Sequence, residues 1–330
     1  MRLSARIPLV AAICVLVLGF LIHIGVGASH WSSPWDIARE IFRGNTGEGG
    51  LNNIVWSLRL PRACQAVAVG AILGTVGVAL QTVFRNPLAE PYVIGASSGA
   101  AIGAAGVYVV GASGALLGLA MPLAGFGSAI LTLQLVMMIA KRRGIVETPN
   151  LLLAGVVIST MLGGLLSYII LRSGHDQGEV LRWLLGSLSE AFWGDIALIS
   201  VFAVAGLAIL VTYARRLNAF TLGEEGAAAL GTNPSQLRTI VLFTATAMIS
   251  VTVGVVGIIG FVGLVSPHIA RKMVGIDLRR TLPLSAVLGS LLLLLSDLIA
   301  QRGIQGSEYP VGIVTALLGA PVLLFLLKRR

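Results

Sequence analysis

Leu222-Gly223-Glu224-Glu225-Gly226-Ala227-Ala228-Ala229-Leu230-Gly231 is an alanine-rich stretch with a Glu pair, set between Arg215 and Arg238. Apolar runs flank it at about 194–214 and 239–258, each long enough for a helix of roughly 20 residues to cross a bilayer. That contrast decides the fold. The chain reads as membrane helix, polar gap, membrane helix, and the gap is the one internal segment that looks like a water-facing, partner-sized surface.

Composition extends this reading to the whole chain. Hydrophobic residues make up 56% and charged residues 11%, with a mean hydropathy of +0.92. A soluble domain keeps about a quarter of its residues charged, so the expected fold is an all-α integral membrane protein. The 330 residues accommodate about ten spans. They are expected at about 8–28, 63–84, 93–111, 115–140, 149–171, 194–214, 239–258, 260–270, 282–300 and 310–327. The eighth is short and depends on its neighbours for cover. Several are rich in glycine and other small residues, as close helix packing in lipid favours. The first run follows Arg2 and Arg6 but is too long for a signal core, and a retained first helix is expected. Cys14 and Cys64 sit in or beside apolar runs and read as small buried hydrophobes.

The net charge of +9 is distributed unevenly across these spans. With the N-terminus inside, 16 of the 23 Lys and Arg residues fall on the inner side. Arg39, Arg43, Arg59, Arg62, Arg172, Arg182 and Arg302 fall outside. The positive-inside rule therefore predicts a multi-pass protein of the cell (inner, cytoplasmic) membrane with both termini cytoplasmic. The basic residues occur singly or in twos and threes without interleaved aromatics, which argues against nucleic-acid binding. Residues 29–62 form a long outer loop with a short helix starting at Ser33-Pro34-Trp35, where Ser caps and Pro suits the first turn. Trp183 and Trp193, near the ends of a second outer loop at 172–194, suit a membrane–water interface.

Three motifs stand out. Arg85-Asn86-Pro87-Leu88-Ala89-Glu90-Pro91, followed by Gly95-Ala96-Ser97-Ser98-Gly99-Ala100, ends one helix, holds an extended link and starts the next against close neighbours. Gly260-Phe261-Val262-Gly263-Leu264-Val265-Ser266-Pro267-His268-Ile269-Ala270-Arg271 places a lone histidine beside an arginine at a helix end. His268 there reads as structural rather than as a ligand or proton carrier. Pro310 to Pro321 is a small-residue helix bracketed by prolines. A faint internal echo accompanies them: Pro91 follows Arg62 by 29 residues, as Pro267 follows Arg238, with an apolar helix between in each case. The two helices run in opposite directions, as in the inverted repeats of transporters.

With Arg59-Leu60-Pro61-Arg62 and the 222–231 stretch, these segments resemble, in order and spacing, the FecCD-type permease subunits of ABC importers for iron–siderophore complexes, haem and cobalamin. The resemblance runs from about residue 55 to the C-terminus. It implies a single transmembrane permease domain over 1–330, with a cytoplasmic coupling loop at 215–238. It also implies about ten helices, with helices 2–5 and 7–10 related by an inverted pseudo-repeat.

The resemblance carries roles over to particular positions. Gly223, Glu224, Glu225, Leu230 and Gly231 match the region that couples to the ATPase subunit, the glycines allowing its turns. Arg59 and Arg62 match outer-face arginines that meet acidic residues of a soluble binding protein, although an arginine at an interfacial helix start also snorkels. Where some members carry a third docking arginine, four residues after the position of Asp297, this chain has Gln301, and Arg302 comes one residue later. Asn86 and Leu88, with the segment beginning Thr148-Pro149, match positions that narrow the pathway on the cytoplasmic side. Pro149 replaces a small hydroxyl residue found there in some members. Arg85, Pro87, Pro91, Gly95, Pro267, His268 and Arg271 belong to the structural motifs.

The implied partners are a second copy of the chain or a paralogous permease, two ATP-binding subunits, and an extracytoplasmic substrate-binding protein. No cofactor or metal is expected on this chain. A phosphate loop ends in Gly-Lys-[Ser/Thr], and none of Lys141, Lys272 and Lys328 follows a glycine, so ATP and magnesium would sit on the partner. A secondary transporter of a small solute would need ionisable residues deep in the spans, and the candidates are few: Asp297 near the outer end of the ninth, and Asp195 at an interface. An intramembrane enzyme finds no catalytic motif, and His23, His30, His175 and His268 are scattered across the topology.

Overall fold

The computed structural model describes residues 6–26, 32–47, 50–92, 94–109, 115–142, 145–146, 148–172, 177–303 and 308–328. Arg2, His30, Arg143, His175, Arg329 and Arg330 lie outside them. The protein is helical, and a helix satisfies its own backbone groups in lipid, as a closed β-barrel also does. Membrane-length or apolar helices are α1 (Arg6–Gly25), α4 (Leu60–Val83), α5 (Ala96–Val109), α6 (Ala115–Ala140), α7 (Thr148–Arg172), α9 (Trp193–Thr212), α12 (Pro234–Val256), α13 (Val262–Val274), α14 (Leu278–Ala300) and α15 (Val311–Lys328). They coincide in order with the ten expected spans. Seven of the described helices are long and apolar enough to cross a membrane; α5, α13 and α15 are shorter. Between them lie α2 (Pro34–Arg43), α3 (Gly50–Ile54), α8 (Gln177–Leu184), α10 (Ala214–Phe220) and α11 (Glu224–Ala229).

Boundaries moved where polar residues turned out to be helical. Ser33 does cap α2, accepting from the Trp35 amide. The loop expected to reach residue 62, however, becomes helical at Gly50 and runs into α4 through a π-turn at Val55–Arg59. Pro61 has no N–H with which to continue the i→i−4 ladder, and the wider turn absorbs the break. α12 starts at Pro234, five residues before the expected 239, because Asn233 caps it by accepting from the Gln236 amide.

α4 is enclosed at the centre, and small residues let its neighbours approach to backbone contact. A Cβ on Gly70 would stand 2.4 Å from the Gly289 carbonyl oxygen, and one on Gly74 would stand 2.2 Å from that of Ser285, both on α14. On Gly77 it would stand 2.0 Å from the Gly263 oxygen of α13. Such seams hold helices where lipid removes the hydrophobic drive for association.

The packing pattern is unchanged when α4, α5, α6 and α7 are exchanged for α12, α13, α14 and α15. α4 packs on α14 as α12 packs on α6; α5 on α6 as α13 on α14; α4 on α13 as α12 on α5. α7 touches α5 and α6 as α15 touches α13 and α14, while α9 packs on both α4 and α12. The 29-residue echo is not a trace of this exchange, because Pro91 lies in the link before α5 whereas Pro267 lies inside α13.

The links before α5 and α13 both climb into the middle of the bundle, so these two helices begin there. Pro91 lies against Gly263, which in turn faces the Leu73 carbonyl halfway along α4. Phe261, at φ +66°, packs on Gly319 halfway along α15. The two links are tied to each other: the Phe261 amide donates to Glu90 Oε1 at 2.9 Å, and the Tyr92 hydroxyl donates to the Ile259 carbonyl while accepting from the Ile259 amide at 2.9 Å. The expected third span, 93–111, therefore loses its first turn to this link; α5 starts at Ala96 behind Gly95, whose φ is +78°.

Candidate functional site

The polar stretch folds as α11 between two left-handed glycines, Gly223 (φ +99°) and Gly231 (φ +75°). Only glycine takes these turns without steric cost. Ala227 is buried and anchors the short helix; Leu222 (68% exposed), Leu230 (64%), Glu225, Ala228 and Ala229 face outward. The Glu pair is split. Glu225 is exposed, whereas Glu224 turns back, its Oε1 receiving Arg238 Nη2 of α12 and, at 3.1 Å, the hydroxyl of Thr148 at the start of α7. Arg238 is 1% exposed.

The preceding helix is fixed to α14. Asn218 Nδ2 donates to Asp277 Oδ1 at 2.8 Å and Asn218 Oδ1 accepts from the Leu278 amide at 2.9 Å. Hydrogen bonds from Arg279 hold the Asp277 carboxyl down to about 2.

The Arg85–Pro91 motif lies at the same end of the bundle. Arg85 takes φ +50°, and its guanidinium faces Gly223, where a Cβ would stand 3.6 Å from Nη1. Asn86 Oδ1 accepts from the Leu88 amide at 2.9 Å, a side-chain turn that leaves Pro87 and Leu88 exposed. Thr148 and Pro149 open α7 nearby. Of the expected gate positions, Thr148 meets the expected coupling residue Glu224 at the start of α11.

Pro267 lies inside α13, as the expected span 260–270 implied, and His268 is not at the helix end expected there, because α13 runs on to Val274. Lacking an N–H, Pro267 leaves the Gly263 carbonyl without its helical donor, and Gln81 Nε2 supplies one at 3.2 Å. Arg271 in turn donates to Gln81 Oε1.

At the opposite end, the expected docking arginines turn inward. Arg62 makes a two-pronged contact with Asp297 (Nε–Oδ2 2.7 Å, Nη2–Oδ1 2.9 Å) and binds Glu308 through Nη1 at 2.8 and 2.9 Å. Asp297 is 0% exposed and also meets His23 Nε2 at 2.8 Å and Gln301 Nε2 at 2.9 Å. Arg59 Nη1 donates to the last carbonyls of α1, Ile24 and Gly25, and to Ser32 Oγ. Of the three expected contacts only Arg302, just past α14, is exposed. Asp297 is therefore part of an internal ion pair with a guanidinium. His23 and Glu308, which complete the cluster, carried no sequence signal because their partners lie more than 200 residues away.

Residues 15–329 match the FecCD transport family. The chain is 38% identical to the cobalamin import system permease protein BtuC of Halobacterium salinarum over 277 residues, covering 84% of this chain and 74% of that one. It is 35% identical to the hemin transport system permease protein HmuU of Yersinia pestis, covering 96% of each. Among solved structures, an inward-facing conformation described as a metal-chelate type ABC transporter superposes with a TM-score of 0.86 at 29% identity, covering 99% of this chain and 100% of that one. The chain belongs to the FecCD transport family, and its fold is that of a multi-pass helical ABC transporter permease.

Proposed function

We propose that this chain is the permease subunit of an ATP-driven importer that passes a bulky chelate, an iron–siderophore complex, haem or cobalamin, from a soluble binding protein to the cytoplasm. Two permease copies, or this chain and a paralogue, would line the pathway, and two ATP-binding subunits would hold ATP and magnesium. The end of the bundle bearing α11 is the cytoplasmic one in this reading, in keeping with the excess of basic residues on that side. ATP-driven closure of the partner dimer moves α11, and the pathway opens alternately to either side.

The observation that carries the reading is the outer face of α11. Leu222 and Leu230 stand exposed at a polar end of the bundle, flanked by Glu225 and two alanines. Apolar side chains rimmed by charge, outside the lipid-facing surface, mark a protein-docking patch. The test is capture of the ATP-binding subunit encoded beside this permease by tagged permease in detergent. Leu222→Asp with Leu230→Asp should abolish capture while the permease still inserts and elutes as a folded species. Undiminished capture would rule out α11 as the docking helix.

The Arg62 end would face the binding protein, with the exposed Arg302 presenting its charge and Arg62 and Arg59 shaping the surface from beneath.

A further inference from the structure

The Glu224 side chain keeps 41% of its surface exposed, but its Oε1 turns in toward the bundle. Its Oε1 is a junction of three elements: Arg238 from the second turn of α12, the Thr148 hydroxyl from the first residue of α7, and α11 itself. One residue earlier, Gly223 lies against the guanidinium of Arg85, which heads the Asn86–Leu88 segment. Gly223 and Glu224 therefore reach Arg85, next to the Asn86–Leu88 segment, and Thr148, the start of the other segment expected to narrow the pathway. Glu225, the next residue, is exposed.

We propose that Glu224 is a positioning residue that transmits movement of α11 to the start of α7, rather than a contact with the ATP-binding subunit. The inference rests on the docking of that subunit at α11. Arg238 is almost wholly enclosed, and stripping a buried charge of its partner is far costlier than moving the pair together. A displaced α11 therefore carries its carboxylate, and the Thr148 hydroxyl follows the same oxygen. Charge matters here as well as shape: hydrogen bonds to a carboxylate are stronger and shorter than those to an amide oxygen. Glu224→Gln keeps the size and the acceptor and removes the charge. Thr148→Val removes only the link to α7.

The test uses the complex of permease and ATP-binding subunit, with Cys14 and Cys64 changed to alanine and Leu153→Cys as a reporter on the exposed face of α7. Two quantities are read: capture of the ATP-binding subunit, and the change in maleimide labelling of the reporter between nucleotide-free and ATP–vanadate-trapped states. Glu224→Gln and Thr148→Val should capture the subunit as fully as the parent and reduce the labelling change about tenfold, a size ordinary for coupling between sites. Glu225→Gln should leave the labelling change in place once the subunit is bound. Loss of capture in Glu224→Gln would overturn the proposal by making Glu224 a partner contact. An undiminished labelling change with the subunit bound would overturn it by showing that α7 moves without this link. If the parent captures no subunit, or Leu222→Asp with Leu230→Asp leaves capture intact, the docking reading fails and the relay fails with it.

Discussion

Gly77→Ala should unseat α13 from α4. The added methyl would stand 2.0 Å from the Gly263 carbonyl oxygen, 2.8 Å from its carbon and 2.9 Å from its Cα, against an ordinary contact of 3.4 Å or more. The two backbones would have to part by about 1.4 Å. Neither can yield easily. Behind Gly263 sits Pro91, and on the same face of α4 the Gly70 and Gly74 seam holds the helix against α14 with the same lack of room. Overpacking of this kind costs about 1–3 kcal/mol, and with backbone on both sides the upper figure applies. Alanine also gains roughly 1 kcal/mol of helix propensity over glycine, so the control is Gly127→Ala on α6, where nothing lies within 4 Å. The assay is thermal unfolding of the detergent-purified permease. At about 2 °C per kcal/mol for a chain of this size, Gly77→Ala should melt roughly 6 °C below Gly127→Ala. Equal melting temperatures, or a higher one for Gly77→Ala, would refute the seam.

Asp297→Ala should destabilise the fold by about 1–3 kcal/mol, because it leaves Arg62 with Glu308 as its remaining carboxylate and takes the acceptor from the buried His23; unfolding in detergent measures it, and a near-neutral result would show that the cluster is not closed in solution. Tyr92→Phe removes the donor and acceptor that meet Ile259, and should cost about 1–3 kcal/mol by leaving buried backbone groups unpaired, read in the same unfolding assay. The Asp277 tie between α10 and α14 should be insensitive to physiological pH. Its carboxyl sits at about 2 in the folded protein, below the unfolded value of about 4. The stability it adds is then complete above about pH 4 and lost as pH falls toward 2. Asp277→Asn should therefore be less stable by a constant amount from pH 5 upward, with the gap to the parent closing in acid; a gap that changes between pH 5 and 8 would contradict this.

The spans were legible because uninterrupted apolar runs leave few alternatives in lipid, and the glycine pair around α11 was legible because its turns need positive φ. The link at 86–95 was legible as a motif but not as a re-entrant segment. Prolines and small residues mark a break in a helix, not its depth, and the depth is set by contacts of Glu90 and Tyr92 with residues some 170 positions away. Pro267, expected inside the eighth span, is tolerated there because Gln81 satisfies the carbonyl it frees, a partner 182 positions away that sequence does not show. Direction was the other missing quantity. Glu224 and Glu225 are identical in sequence terms, and only the position of Arg238 turns one inward. Likewise Arg62 reads as a surface cation until Asp297 and Glu308 are brought beside it.

The most direct test of the account is transport by the reconstituted complex. The permease, its ATP-binding subunit and its binding protein would be placed in liposomes and challenged separately with a ferric siderophore, haem and cobalamin. The account predicts accumulation of one of these that requires ATP on the side of α11 and the binding protein on the side of Arg302. Accumulation driven by an ion gradient, without ATP or the ATP-binding subunit, would contradict it.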